Sequence, residues 1–68
     1  MNSQLLKGLI KAYDGTQAQL ADNLGISLSR LNAKINETGA EFGQKEIATI
    51  RYRYKLTDEQ VVNIFFNK

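Results

Sequence analysis

The chain has 68 residues, 43% of them apolar and 24% charged, and its nine Lys and Arg against seven Asp and Glu give a formal net charge of +2. That length makes one domain, residues 1–68, and a globule so small buries only about 60% of its unfolded surface, which leaves no room for a second. Cys and His are both absent, which excludes a disulfide framework and a zinc module, so neither metal nor cofactor is expected.

The apolar fraction, with no long polar tract, argues for a folded globule over a disordered tail. Apolar runs reach only two or three residues, too short to span a membrane, and the first residues lack the regions of a secretory signal. The expected location is the cytosol. Residues 1–13 read as helix 1, with Leu5, Leu6, Leu9, Ile10 and Tyr13 forming a broad apolar face and Lys7 and Lys11 outside. Asn2 or Ser3 is available as its cap, and Asp14 and Gly15 break it.

Thr16 opens a T-x-x-Q capping box, in which its hydroxyl accepts the Gln19 N–H while the Gln19 side chain reaches back. Leu20, Ala21 and Leu24 share one stripe of the second helix, and Gly25 stands where a helix C-terminus favours positive φ. Ser27 caps a third helix, with Ile26 before it and Leu31 inside it forming a hydrophobic staple that fixes the angle of entry. Residues 17–36 therefore read as a helix-turn-helix, and small Ala21 lets its two helices approach closely. In the third helix Leu31 and Ile35 are spaced i, i+4 and face inward. Leu28, Ser29, Arg30, Asn32, Ala33, Lys34 and Asn36 are left outside.

Residues 37–41, ETGAE, make a polar loop. Phe42 and Ile47 form a second staple around a Gly43 cap, with Glu46 as the acid of the first turn. Helix 4 follows with Ile47, Ile50 and Tyr54 inward. Residues 50–55, IRYRYK, also alternate like a strand, but a strand there has no pairing partner and helix is the better reading. Leu56, Thr57, Gln60 and Val61 repeat the staple and the T-x-x-Q box, so helix 5 runs from about residue 58 to 66. Val61, Ile64 or Val62, and Phe65 close the core. The expectation is an all-α, compact five-helix domain.

The pattern Thr16, Gln17, Leu20, Ala21, Leu24, Gly25, Ile26, Ser27, Leu31, Ile35 resembles the helix-turn-helix of phage repressors and Cro proteins of the lambda type. Glu46, Ile47, Ile50, Leu56 and Thr57 look like the fourth and fifth helices of that fold. The MNSQLLKG opening and the IFFNK ending are most similar to small Cro-like or repression-modulating proteins of temperate phages of Gram-positive bacteria. The resemblance implies that Gln17 holds a backbone phosphate and that Leu28, Ser29, Asn32 and Ala33 face bases in the major groove. It also makes Gly43, Gln44 and Lys45 a phosphate clamp at a helix N-terminus. Leu28 and Ala33 depart from the amides or cations common in the family, and Lys55 stands where Gly or Asn is usual after helix 4. Few bidentate base readers remain, although Leu28 suits a thymine methyl and Ser29 or Asn32 a base edge.

Two roles follow. In the first, a Cro-like regulator of the lytic/lysogenic switch dimerises and sets two copies of helix 28–36 in successive major grooves of double-stranded operator DNA, about 34 Å apart. In the second, an antirepressor uses the face formed by Ser27, Leu28, Ser29, Arg30, Asn32, Ala33, Lys34 and Asn36 to cover the cognate phage repressor. An exposed Leu28 rimmed by Arg30 and Asn32 suits a protein hot spot, and the weak net charge points the same way. Plainer readings stand beside these. The motif is also compatible with an ordinary helical hairpin, and Arg30 with Lys34 suits a solvated pair as well as a contact. Tyr52 with Arg51 and Arg53 reads as helix surface. One ring of Phe65 and Phe66 belongs to the core, the other to a dimer contact or an exposed spot. Asp58 and Glu59 are explained by the dipole of their helix, and no nucleophile, base dyad or metal constellation supports an enzyme.

Overall fold

The computed structural model describes residues 1–66, so Asn67 and Lys68 of the IFFNK ending lie outside the described residues. Five helices follow in order: α1 (Ser3–Tyr13), α2 (Gln17–Leu24), α3 (Leu28–Ile35), α4 (Gln44–Tyr54) and α5 (Asp58–Phe65). No strand occurs among the described residues, and IRYRYK is helical up to its last residue.

Local capping fixes where each helix begins. Asn2 Oδ1 accepts the Leu5 N–H at 3.1 Å, Thr16 Oγ1 the Gln19 N–H at 3.1 Å, and Ser27 Oγ the Arg30 N–H at 3.1 Å. At α5 the box is complete, with Thr57 Oγ1 accepting the Gln60 N–H at 3.2 Å and Gln60 Oε1 accepting the Thr57 N–H at 2.8 Å. Three details differ from the sequence reading. Helix α1 begins at Ser3 with Asn2 as its cap, because residue 1 precedes the cap, and α5 ends at Phe65. The Gln19 side chain makes no return bond to Thr16, so the box at α2 is half formed. Gln19 is exposed, so its amide is accessible to solvent and a return bond would cost the entropy of ordering a long side chain.

Helix ends reuse one device three times. Gly25 takes φ 72°, and Ile26 N–H donates to Ala21 C=O at 3.0 Å while Gly25 N–H donates to Asp22 C=O at 3.1 Å. These are the paired bonds of a Schellman end. Helix α4 ends the same way on Lys55, at φ 53°, with Leu56 N–H donating to Arg51 C=O at 3.0 Å. After α3 the left-handed residue is Glu37, at φ 56°, with Thr38 N–H donating to Ala33 C=O at 2.9 Å.

Each helix gives two buried side chains to one hydrophobic core: Leu6 and Ile10, Leu20 and Ala21, Leu31 and Ile35, Ile50 and Tyr54, Val61 and Ile64, with Leu56 from the α4–α5 turn. Among these elements α2 packs on α3, α1 on α2 and α5, and α4 on α5. Leu24, Ile26, Phe42, Ile47 and Phe65 pack against the core from its edge, and Phe42 meets Phe65 edge-on with ring centroids 5.5 Å apart. The apolar face of α1 is narrower than the sequence suggests. Five apolar positions cover more of the helix than α2 and α5 can bury, so Leu5 and Tyr13 stay exposed, as do Val62 on α5 and Phe66 just after it. Among the described residues no helix is long and apolar enough to cross a membrane.

Candidate functional site

Helices α2 and α3 are pinned at their junction. Gly25 ends one, Ser27 starts the other, Ile26 between them packs against the core, and Leu31 and Ile35 anchor the inner side of α3. The outer side of α3 is thereby turned to solvent. Leu28, 43% exposed, lies with exposed Ser29 and Arg30 on the first turn, and exposed Asn36 caps the last. Asn32 and Ala33 are half-buried, as is Gln17 at the start of α2, while the capping Ser27 is exposed. Of the residues expected from the sequence to face bases, Leu28 and Ser29 are exposed on the first turn, whereas Asn32 and Ala33 are half-buried.

Lys34 is the clear correction. Expected outside with Arg30, it is 5% exposed, and its ammonium donates to Glu41 C=O at 2.9 Å and to Glu46 Oε1 at 3.0 Å. Position 34 is three residues beyond Leu31 and next to Ile35, so it lies at the border of the inward stripe. The 36–43 connection brings the Glu41 carbonyl to the ammonium, which turns a border position into a buried one. A buried cation is tolerated only with such partners. Lys34 thus ties α3 to the loop and to α4, and it leaves the candidate contact surface.

Gly43, Gln44 and Lys45 are all exposed at the N-terminus of α4. Gly43 has no side chain to cap with, and the Glu46 carboxylate accepts its N–H at 2.8 Å instead. Burial by itself raises the pKa of Glu46, but the Gly43 N–H, the Lys34 ammonium and the nearby Arg30 charge outweigh it and hold the carboxyl below its ordinary value. The chain's own carboxylate therefore occupies part of the expected phosphate clamp. What remains for an anion is the Gln44 and Lys45 pair, whose N–H groups have no partner within the helix, together with the Lys45 ammonium.

Sequence reasoning gave Asp14 only the role of ending α1. Its carboxylate, 2% exposed as a side chain, accepts from the Arg53 guanidinium and the Tyr54 hydroxyl of α4, and from Asn23 Nδ2 of α2 at 3.2 Å. The Tyr13 ring stacks on Tyr54, with centroids 4.9 Å apart and planes 15° from parallel. Burial, reinforced by the bond to Asp14 and by its negative charge, pushes the Tyr54 hydroxyl far above its ordinary pKa, so it remains a proton donor throughout the neutral range. One carboxylate fixes the ends of α1, α2 and α4 relative to one another. Its partners lie up to 40 residues away, and no local pattern announces such a contact.

Comparison with protein-family models, curated proteins and solved structures gives no match. Leu28, Ser29 and Arg30 offer an apolar contact, a hydroxyl and a guanidinium within one turn, beside half-buried Asn32 and Ala33. Gln17 and the exposed start of α4 add polar and cationic groups from other elements, whereas exposed Glu37 and Glu41 lower the local charge.

Proposed function

We propose that the chain is a Cro-like transcriptional regulator that binds duplex DNA through the first turn of α3. The reading rests on a rigid short helix whose inner side is fully buried at Leu31 and Ile35 while its capped first turn stands free. In this role Leu28 contacts a thymine methyl, Ser29 and Arg30 meet base edges or phosphate, and Asn32 and Ala33 line the rim. Gln17, Gln44 and Lys45 hold the backbone on either side. Two copies read a pseudo-palindromic operator in the bacterial cytoplasm, and the resemblance to temperate-phage regulators makes the lytic/lysogenic switch the process controlled. Electrophoretic shift with promoter DNA adjoining the chain's own gene tests it: a shift at submicromolar protein in low salt supports the reading, and none at micromolar protein opposes it. Ser29→Ala should relax base preference at defined positions, whereas Lys45→Ala should weaken all sequences alike and lower the salt slope by about one.

A second reading is favoured by the burial of Lys34 together with the exposure of Leu28. Without Lys34 the α3 face carries Arg30 as its one cation among the described residues, and an apolar residue at its centre. Such a surface suits an antirepressor that covers the cognate phage repressor. Leu28→Asp should then abolish the complex with that repressor, and an intact complex returns the assignment to DNA.

A further inference from the structure

The outer face of α4 carries Ala48, Arg51, Tyr52 and Lys55 at i, i+3, i+4 and i+7, a single stripe along the helix. With Arg53 and Leu56 they line an open groove to which α2 and α3 contribute nothing. Tyr52 is 86% exposed, and its ring and Ala48 give the groove an apolar lining between cationic side chains, with the core residue Leu56 beneath. The three cations are in different states. Arg53 is committed to the buried Asp14 carboxylate. Arg51 pairs with Asp58 at 2.6 Å, but the Asp58 side chain is 84% exposed, and so solvated a pair exchanges readily for another carboxylate. Lys55 has no carboxylate partner among the described residues. It also holds φ 53°, a backbone conformation that glycine adopts freely and lysine only with strain. Arg51 and Arg53 already serve the negative end of the helix dipole, so the dipole alone does not account for a third cation in a strained position.

We infer that this groove docks an acidic, partly apolar segment of a partner protein, with its carboxylates meeting Lys55 and Arg51 and an apolar side chain lying against Tyr52 and Ala48. Charge decides the occupant. Two available cations one turn apart match one or two carboxylates, whereas a nucleic-acid backbone is held by a longer row of cations. The inference is independent of the role given to α3.

Fluorescence anisotropy on the full chain tests it, with three labelled probes: a blocked heptapeptide alternating Glu and Leu, its Lys-for-Glu counterpart, and a short duplex DNA. The acidic peptide should bind saturably and the basic one should not. Lys55→Gly, which relieves the strained φ, and Tyr52→Ala at an exposed position both preserve the fold, and each should weaken the acidic peptide about three- to tenfold. Neither should change binding of the duplex, which the α3 face would hold. Absence of acidic-peptide binding into the millimolar range, or binding indifferent to both substitutions, overturns the inference. Duplex binding lost on Lys55→Gly overturns it as well, by making the groove a nucleic-acid surface.

Discussion

Tyr54 and Glu46 add to the stability of this small molecule and Lys55 detracts from it, and each can be tested singly. The Tyr54 hydroxyl donates to a carboxylate that is almost wholly enclosed, so Tyr54→Phe leaves Asp14 with one donor fewer and should cost about 1–2 kcal/mol in urea unfolding. Its pH signature has a definite sign. The folded-state pKa lies above the ordinary 10.0, so the contribution is complete below pH 10.0 and fades above it, where the unfolded chain ionises first. Stability should fall with rising pH in that range, and Tyr54→Phe should remove that part of the slope. Glu46 behaves oppositely: its folded pKa is lowered, so its contribution is present above the ordinary 4.5 and is lost as pH falls below it. Acid titration of Glu46→Gln by circular dichroism should show a shallower loss below that value. Lys55→Gly should raise stability by about 0.5–1 kcal/mol, because only the lysine is strained at φ 53°. A destabilised Lys55→Gly would show that the lysine side chain contributes packing that outweighs its strain.

At the scale of the helices, the molecule depends on starts and stops encoded within four or five residues. Ser27 is the most consequential, since its hydroxyl sets the first turn of α3, and Ser27→Ala should cost about 1 kcal/mol and increase amide hydrogen exchange in that turn. Short-range signals of this kind were legible: Thr16, Gly25, Ser27 and Thr57 all take the backbone roles their spacing implies. What escaped the sequence was of two sorts. Left-handed helix ends at Glu37 and Lys55 use residues that carry no such preference, so composition does not reveal them. Asp14, Arg53 and Tyr54 meet across about forty residues, and Lys34 is buried only because a later loop lies over it. Both depend on tertiary packing. The candidate site inherits that division, since its first turn was readable locally whereas the loss of Lys34 and the self-occupied Gly43 N–H were not.

For the molecule as a whole, two buried apolar residues per helix suffice because capping, the Asp14 cluster and the Lys34 tie remove slack that a larger core would absorb. The reward is a surface left open at the two places proposed for binding, the first turn of α3 and the groove on α4. A bound duplex would cover the first of these and leave the second open. The most direct test of the functional account maps backbone amide shifts of the full chain on titration with promoter DNA. The account predicts saturable changes at Gln17, Leu28, Ser29, Arg30 and Lys45, with Ala48, Tyr52 and Lys55 unmoved. No binding at low salt, or changes centred on α4 with the first turn of α3 silent, would contradict it.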